Sequence, residues 1–294
     1  MACRDRRKVT GRGPLRDNGS VGITTTQEQQ FYDSAYAVHR EVPDDALRTN
    51  RESMLRDLNQ PTGAFFERRK LYSAVLRVLL SEPLARRTVL DYGCGVGEWG
   101  VLMATEGARV ALLDLSPVAI EIGLRRAAAN GVAHAVQGYA RDASDLSCFA
   151  DGEFDLIYAS AALHHTLKYP NALAELLRVL RPGGKLILAE TYGNNPILNG
   201  MRRLRWRLSR QPEEAGEDII LGDRQLAMLR VHFSRVDVTP MNLLGMAKRL
   251  FRGRFQSRAV RATLAFLEAV DSRLLKTLPP LGRYCGEVLV VAEK

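Results

Sequence analysis

The middle of the chain alternates between short apolar runs and amphipathic stretches. The apolar runs predict five strands, over residues 88–91, 109–115, 135–138, 154–158 and 185–190, since a buried parallel strand is a short run of this kind. The stretches between them have helical spacing, as over 98–106, from Pro117 onwards and over 171–180. Because strands that alternate with helices are joined by right-handed crossovers, this order predicts a parallel α/β sheet.

Helical spacing also precedes the first strand, from Phe31 to Leu79, and predicts a helical cap over residues 27–86. Residues 1–26 are rich in Gly, Arg and Thr and show no periodicity. This composition predicts a flexible basic tail, or an arm that packs on a neighbouring subunit.

The pattern changes again after the fifth strand. It predicts a helix over 224–231, a sixth strand over 234–238, a helical segment over 242–278 and a closing strand over 287–291. No internal repeat is present in the sequence. The last third therefore combines further strands of the sheet with a long helical segment.

Composition limits the class of protein without identifying it. Apolar residues make up 46% of the chain and charged residues 26%, as in ordinary globular proteins. No apolar run reaches the ~18–20 residues of a membrane-spanning helix, and the N-terminus lacks the apolar core of a secretory signal. The 4 cysteines form no CxxC pair, so we expect no zinc or other metal site and a reduced, cytoplasmic setting.

The net charge of +9 is distributed unevenly. Basic residues cluster in the tail, over 202–210 and over 248–261. Such clusters are found in proteins that bind nucleic acids, but they are also typical of ordinary solvated faces. We therefore expect no nucleic-acid partner and keep this function as an alternative.

Three glycines follow the first strand at alternate positions, Gly93, Gly95 and Gly97. Glycines there let the backbone turn tightly and approach a ligand closely, and the helix that follows presents free N–H groups to the same ligand. The segment 95–100 also matches GxGxxG, the pattern of dinucleotide sites. The turn alone predicts a nucleotide ligand, which can be a dinucleotide or a nucleotide of another class.

Acidic residues at the ends of the first three strands distinguish a dinucleotide site from a site for another class of nucleotide. Asp91 lies two residues before the first glycine, where a carboxylate suits the amino group of an amino-acid-like ligand. Asp114 ends the second strand, at the place of a ribose-binding acid. Asp142 and Ala143 follow the third strand, where a short acid can accept a hydrogen bond from the exocyclic amine of adenine.

Together with FDLIYASAALHH (154–165) and LRPGGKLILAE (180–190), these residues resemble the class I S-adenosylmethionine-dependent methyltransferases. The resemblance covers residues 86–192 and, more loosely, the closing strands. It implies a Rossmann-like sheet of seven strands, mostly parallel, in which residues 287–291 form an antiparallel strand between the fifth and sixth. It also implies one methyltransferase domain over 87–294, with lid insertions over 193–222 and 242–282.

The resemblance also implies roles for individual residues. The methionyl part of S-adenosylmethionine would be held by Asp91, Gly93, Cys94, Gly95 and Gly97, with Ala159 and Ser160 on the same side. Asp114 would bind the ribose, Leu115 would pack on the adenine, and Asp142 with Ala143 would bind its amine. S-adenosylhomocysteine would be the product, and no metal is implied.

Candidates for the transfer step follow the fourth and fifth strands. His164 and His165 are candidate bases, although either can instead cap a helix or bond to backbone. Glu190 is a candidate pocket residue, and Tyr192 is a candidate for the pocket and for stabilising a cation through its ring. Both residues can instead be a structural end of the fifth strand.

Phe31 and Tyr32 resemble the aromatic pair that closes over the cofactor in this superfamily, and core packing is the alternative. Both are therefore candidates for the substrate pocket. If the acceptor is an alkene, their ring faces and that of Tyr192 can stabilise the cation that forms on methylation.

The acceptor is predicted only by class. Enzymes that methylate nucleobase amines carry Asn/Asp-Pro-Pro-aromatic after the fourth strand, and this chain has Ala159–His165 there. The Leu, Met and Phe content of the second insertion favours an apolar small molecule, with specialised metabolites as the expected class. Oxygen, nitrogen and carbon acceptors all remain open, including an isoprenoid alkene methylated with or without cyclisation.

Two other functions remain at this stage. The arginine clusters are compatible with an RNA or protein methyltransferase. A protein that binds S-adenosylmethionine without transferring the methyl group is the second alternative. A homo-oligomer formed through the tail or the helical lid is also open.

Overall fold

The computed structural model describes residues 25–167, 169, 171–209 and 220–294. Nearly all of the predicted tail over 1–26, and part of the predicted insertion over 193–222, lie outside the described residues. The strands are β1 (Thr88–Tyr92), β2 (Arg109–Asp114), β3 (Val136–Ala140), β4 (Phe154–Ser160), β5 (Leu180–Thr191), β6 (Arg235–Met241) and β7 (Glu287–Glu293).

These strands form a seven-stranded sheet in the order β3-β2-β1-β4-β5-β7-β6. The pairs among β1 to β5 are parallel, whereas β7 runs antiparallel to both β5 and β6. The predicted fold class, including the antiparallel strand between the fifth and sixth, is confirmed. The carboxyl ends of β1, β2, β3 and β4 consequently meet at one edge, where α/β folds bind their ligands.

The described helices follow the predicted alternation. They are α1 (Thr25–Ala37), α2 (Arg51–Asn59), α3 (Arg69–Ser81), α4 (Glu98–Thr105), α5 (Pro117–Ala129), α6 (Leu163–Thr166), α7 (Ala172–Val179), α8 (Pro196–Ser209), α9 (Asp223–His232) and α10 (Arg258–Thr277). Ser116 caps α5 by accepting a hydrogen bond from Ala119 N at 3.1 Å, as is typical of a serine directly before a helical proline.

The helical segment predicted over 242–278 is divided in the structure. A 3-10 helix covers Leu244–Phe251, and α10 begins at Arg258. Between them Gly253 has φ 77°, a left-handed conformation that ends regular helix. Apolar spacing alone did not show this break.

Both faces of the sheet are buried. Along β1, Val89 packs on one face, against α3 and α4, while Leu90 packs on the other, against α7. This alternation follows from the two-residue repeat of a strand, and the near-continuous apolar runs follow from burial on both sides. No described helix is long and apolar enough to cross a membrane.

The residues before β1 share the core of the sheet. Met54 and Leu58 of α2 and Leu71, Val75 and Leu79 of α3 belong to the same buried cluster as Val89. Helix α1, by contrast, has no fully buried residue and lies against α5. The division into tail, cap and methyltransferase domain stays a prediction.

Candidate active site

The turn between β1 and α4 is built from left-handed glycines. Gly93, Gly95 and Gly97 have φ values of 69°, 52° and 79°. Residues with a Cβ rarely adopt this conformation, so the alternate glycines are a backbone requirement. The N–H groups of Gly93 and Cys94 donate to Leu113 O at 2.8 and 2.9 Å, which fixes the turn against the end of β2.

Asp114 connects this turn to the start of α5. Its Oδ2 accepts from Gly95 N at 2.9 Å, and its Oδ1 accepts from Ser116 N at 2.9 Å. The side chain is buried, and burial raises its pKa against the opposing effect of these backbone donors. A carboxylate is therefore held rigidly at the end of β2.

Asp91 is buried, and its carboxylate uses only part of its hydrogen-bonding capacity. Its side chain is 2% exposed, and no described residue forms a hydrogen bond with its Oδ2 atom. Burial, partly offset by the backbone N–H of Gly100, raises the pKa of Asp91 to about 8. A buried carboxylate with an unused oxygen is costly, and an ammonium group beside it would lower that cost.

The loop after β3 reaches the same edge. Asp142 Oδ1 accepts from Ser144 N at 2.8 Å, and Ala143 O accepts from the hydroxyl of Tyr92 at 2.8 Å. Both residues are half-buried, as is Leu115 directly after β2. The structure thus brings Leu115, Asp142 and Ala143 to the carboxyl edge that also carries the glycine turn.

The end of β4 supplies the opposite side of this edge. Ala159 pairs with Tyr92 in the sheet and is buried. Ser160 is half-buried, and its Oγ lies 3.1 Å from the hydroxyl of Tyr72 on α3. Ala161 follows with φ 51°, a strained conformation for a residue with a Cβ, and it turns the chain into α6.

Helix α6 carries His164, which is anchored by Glu190. The Nδ1 atom of His164 lies 2.8 Å from Glu190 Oε2, while Glu190 Oε1 accepts from Ala162 N and Leu163 N at 3.0 and 2.9 Å. Glu190 is fully buried, yet His164 and Arg68 outweigh burial and hold its pKa below the usual value. The carboxylate of Glu190 therefore orients the imidazole ring of His164 through its Nδ1 atom.

His165 faces α1 instead. Its Nε2 lies 3.3 Å from the hydroxyl of Tyr32, and its Nδ1 lies 3.4 Å from Glu28 Oε1. The rings of His164 and His165 have centroids 4.1 Å apart. Phe31 packs edge-on against Tyr32 and is 39% exposed. The two predicted aromatic residues thus lie beside the histidines.

Tyr36 belongs to the same aromatic group, although the sequence did not single it out. Its ring stacks on that of Tyr32, and its hydroxyl lies 3.3 Å from where a Cβ on Gly95 would be. Burial and the nearby Asp114 raise the pKa of Tyr36. The four-residue spacing from Tyr32 on one helix face was the available signal.

A second missed group lies between α3 and β7. The carboxylate of Glu287 accepts hydrogen bonds from Lys248 Nζ at 2.8 and 2.9 Å, from Asn242 Nδ2 at 2.5 Å and from Arg68 Nε at 3.3 Å. Arg68 Nη1 also donates to the hydroxyl of Tyr72 at 3.3 Å. No motif marks these residues, which are separated by up to 219 positions.

Tyr192 occupies a different place from the histidines. Its hydroxyl donates to Asp223 Oδ1 at 3.2 Å, and burial together with Asp223 raises its pKa to about 12. With Asp223, Pro240 and Arg283 it lines a cavity of about 570 Å³ beside β6. The hydroxyl of Tyr192 is thus bonded to Asp223 and not to either histidine, and the catalytic role of Tyr192 stays a prediction.

The edge fits S-adenosylmethionine on features of its own. The unused oxygen of Asp91 suits the amino group of a methionyl moiety, and the left-handed glycines turn the backbone at the same edge. Asp114 and Asp142 bring two further carboxylates to the same edge, each oriented by a backbone N–H. The acidic character of this edge also suits a sulfonium cation.

Comparisons with known proteins agree with this geometry. Residues 89–184 match the family model described as a methyltransferase domain. The demethylmenaquinone methyltransferase of Clavibacter sepedonicus is 36% identical over 115 residues, which are 39% of this chain and 45% of that protein. The O-methyltransferase cnsE of Penicillium expansum is 30% identical over 158 residues, 53% of this chain and 55% of that protein. The match spans about half the length of these curated relatives.

Solved structures share the fold over a longer stretch. The cyclase SpnF has a TM-score of 0.57 at 20% identity, over 94% of this chain and 99% of that one. Geranyl diphosphate C-methyltransferase from Streptomyces coelicolor A3(2) has a TM-score of 0.54 at 17% identity, over 90% and 97% of the two chains. Residues 89–184 thus match a methyltransferase domain, and the chain as a whole shares its fold with these solved structures.

Proposed function

We propose that this protein transfers the methyl group of S-adenosylmethionine to an oxygen or nitrogen atom of a hydrophobic small molecule, with His164 as the general base. The observation that carries the proposal is the short contact of 2.8 Å between His164 and the buried Glu190, directly after β4. A buried carboxylate that orients an imidazole is the arrangement that general-base catalysis needs.

The cofactor would supply a methyl group already activated on sulfur. The protein's task is then to hold that group and the acceptor in line, which can contribute ~7–11 kcal/mol of the barrier. We assign the methionyl part to Asp91 and the glycine turn, the ribose to Asp114 and the adenine to Leu115, Asp142 and Ala143. Ala159 and Ser160 would line the methionine side.

The His164–Glu190 pair determines which ring nitrogen acts as base. Since an ionised carboxylate only accepts hydrogen bonds, Nδ1 of His164 carries the proton that Glu190 receives. The other nitrogen, Nε2, is then the basic atom of the neutral ring. As a proton moves to Nε2 from the acceptor, the ring becomes a cation and the charge of Glu190 stabilises it.

A small-molecule acceptor has support from two sources. The name of one matched relative, a demethylmenaquinone methyltransferase, indicates a small-molecule substrate for that protein. In this chain, Ala159–His165 takes the place of the motif that nucleobase-modifying enzymes carry. Phe31, Tyr32 and Tyr36 provide an aromatic surface beside the histidines on which an apolar acceptor can pack.

The test is methyl transfer from S-adenosylmethionine labelled in the methyl group, with a small-molecule extract of the producing cells as acceptor. We expect label in a solvent-extractable product with the wild type and none with His164→Ala, which should still bind S-adenosylhomocysteine in calorimetry. Label in RNA or protein instead would contradict the small-molecule acceptor. Cofactor binding without any label would indicate a non-methylating protein.

A further inference from the structure

The group around Glu287 carries more positive than negative charge. Glu287 is 1% exposed and Lys248 is 2% exposed, and Arg68, whose side chain is 21% exposed, is the second cation on this carboxylate. Arg249 lies close enough for Glu287 to affect it electrostatically, and no hydrogen bond joins its side chain to another described residue. If Glu67 is counted with its partner Arg252, the three cations Arg68, Lys248 and Arg249 outnumber the one carboxylate of Glu287.

Arg68 is the member with unused bonding capacity. Its Nε donates to Glu287 and its Nη1 donates to Tyr72, but its buried Nη2 has no hydrogen-bond acceptor within the part of the chain that the structure describes. The side chain as a whole keeps 21% exposure, so atoms of Arg68 other than Nη2 reach the surface. An unused guanidinium nitrogen in the interior is costly unless something binds it.

A structural arginine in the same protein looks different. Arg126 is 6% exposed, and each of its three nitrogens has a described acceptor. Its Nε donates to Val96 O at 2.9 Å, its Nη1 donates to Thr49 Oγ1 at 2.8 Å, and its Nη2 lies 3.4 Å from Glu98 Oε1. The fold thus satisfies a buried arginine where the arginine serves packing alone, and it leaves Arg68 unsatisfied.

The position of Arg68 connects it to the candidate active site. Its Nη1 bonds to Tyr72, whose hydroxyl lies 3.1 Å from Ser160 at the end of β4. Its charge also lowers the pKa of Glu190, the partner of His164. A group bound at Arg68 would therefore lie on the side of the base that faces α3.

We infer that Arg68, assisted by Lys248 and Arg249, binds an anionic oxygen group of the acceptor, a carboxylate or a phosphate. This inference rests on the proposed function for the reaction, while the cationic group itself is independent of it. Arg68 Nη2 would donate to the anion, and the two neighbouring cations would compensate its charge. The acceptor is then amphipathic, with an apolar body near the aromatic residues of α1 and an anionic end near α3.

The experiment is calorimetry with pyrophosphate and with malonate as separate probes, at ~0.15 M salt to screen the surface charges. Each titration is done with and without S-adenosylhomocysteine, on the wild type and on Arg68→Gln, Arg249→Gln and Arg252→Gln. Arg252 is the matched control because it is an exposed arginine paired with Glu67 at 2.7 Å.

We expect one of the two probes to bind the wild type and Arg252→Gln equally, and to bind Arg68→Gln at least ~10-fold more weakly. Arg249→Gln should weaken binding as well, and it keeps the test valid if Arg68→Gln does not fold. The preferred probe identifies the anion as phosphate or carboxylate. No binding of either probe to the wild type, or equal binding to all variants, would overturn the inference, whereas failure to bind S-adenosylhomocysteine would overturn the proposed function alone.

Discussion

Two carboxylates at the same edge of the sheet are equally buried and have opposite surroundings. Asp91 at the end of β1 is 2% exposed and Glu287 at the start of β7 is 1% exposed. Burial raises the pKa of Asp91 to about 8, and no cation of the described residues pairs with it. Burial acts on Glu287 as well, but Lys248 and Arg68 outweigh it and hold the pKa of Glu287 below its usual value.

The contrast describes the two halves of the site. Around β1 and β2 the acids Asp91 and Asp114 have no cationic partner among the described residues, so this half is suited to a positively charged ligand. Around β7 the cations outnumber Glu287, so this half is suited to an anion. A sulfonium cofactor and an anionic acceptor would satisfy the two halves together.

The largest effect on stability is expected for Glu287→Gln. It leaves the buried Lys248 without its carboxylate partner, and removal of one partner of a buried pair costs ~3–5 kcal/mol. Urea denaturation measures the loss. The matched control is Glu67→Gln, which removes a more exposed pairing with Arg252 and should cost less than ~1 kcal/mol. Equal losses for the two variants would contradict the described difference between the pairs.

The largest effect on turnover is expected for His164→Ala, at least ~100-fold in kcat. Glu190→Gln should lower kcat and move the acidic limb of its pH profile to lower pH, since the charged imidazole loses its counter-charge. His165→Ala should lower kcat less than His164→Ala does, because the ring nitrogens of His165 face Tyr32 and Glu28 of α1. Full activity of both histidine variants would instead favour methylation of an alkene carbon, which needs no base at first.

Asp114→Ala tests the acidic half directly. We expect cofactor binding to weaken more than ~10-fold, since two charge-assisted hydrogen bonds to a ribose are worth ~1.5–3 kcal/mol each. Calorimetry with S-adenosylhomocysteine measures the change, and Asp237→Ala on the edge strand β6 is the exposed control. Unchanged affinity would contradict the ribose assignment.

Asp91→Asn should change the free energy of unfolding by an amount that depends on pH. Because the pKa of Asp91 is raised above its unfolded value, the native protein keeps a proton that the unfolded chain has lost above pH ~4. Its free energy of unfolding should therefore fall as pH rises towards 8, by at most ~1.4 kcal/mol per pH unit.

Asparagine carries no such proton, so the difference in stability between Asp91→Asn and the wild type should increase from pH 5 to about pH 8 in the variant's favour. Denaturation at several pH values measures it, without cofactor present. Parallel pH profiles for the two proteins would mean that Asp91 ionises normally. The same variant should bind the cofactor more weakly, which separates the stability of this half from its function.

The sequence determined the features that depend on short stretches of chain. Alternate glycines favour left-handed backbone and short apolar runs predict strands, so the turn after β1 and the positions of the strands along the chain follow from local pattern. The place of β7 between β5 and β6 was instead implied by the family resemblance. The cap at Ser116 is local in the same sense. The break near Gly253 was not predicted, since apolar spacing continues on both sides of it.

Only the tertiary structure decided which distant groups meet. Tyr36 lies over Gly95 because α1 packs on α5, and Glu190 reaches His164 because β5 lies beside β4. Arg68 and Glu287 are 219 positions apart and meet because β7 enters the sheet next to β5. A side chain's charge and size are written in the sequence, but its partners, and hence its pKa and its unused bonds, depend on which elements the folded core places against it.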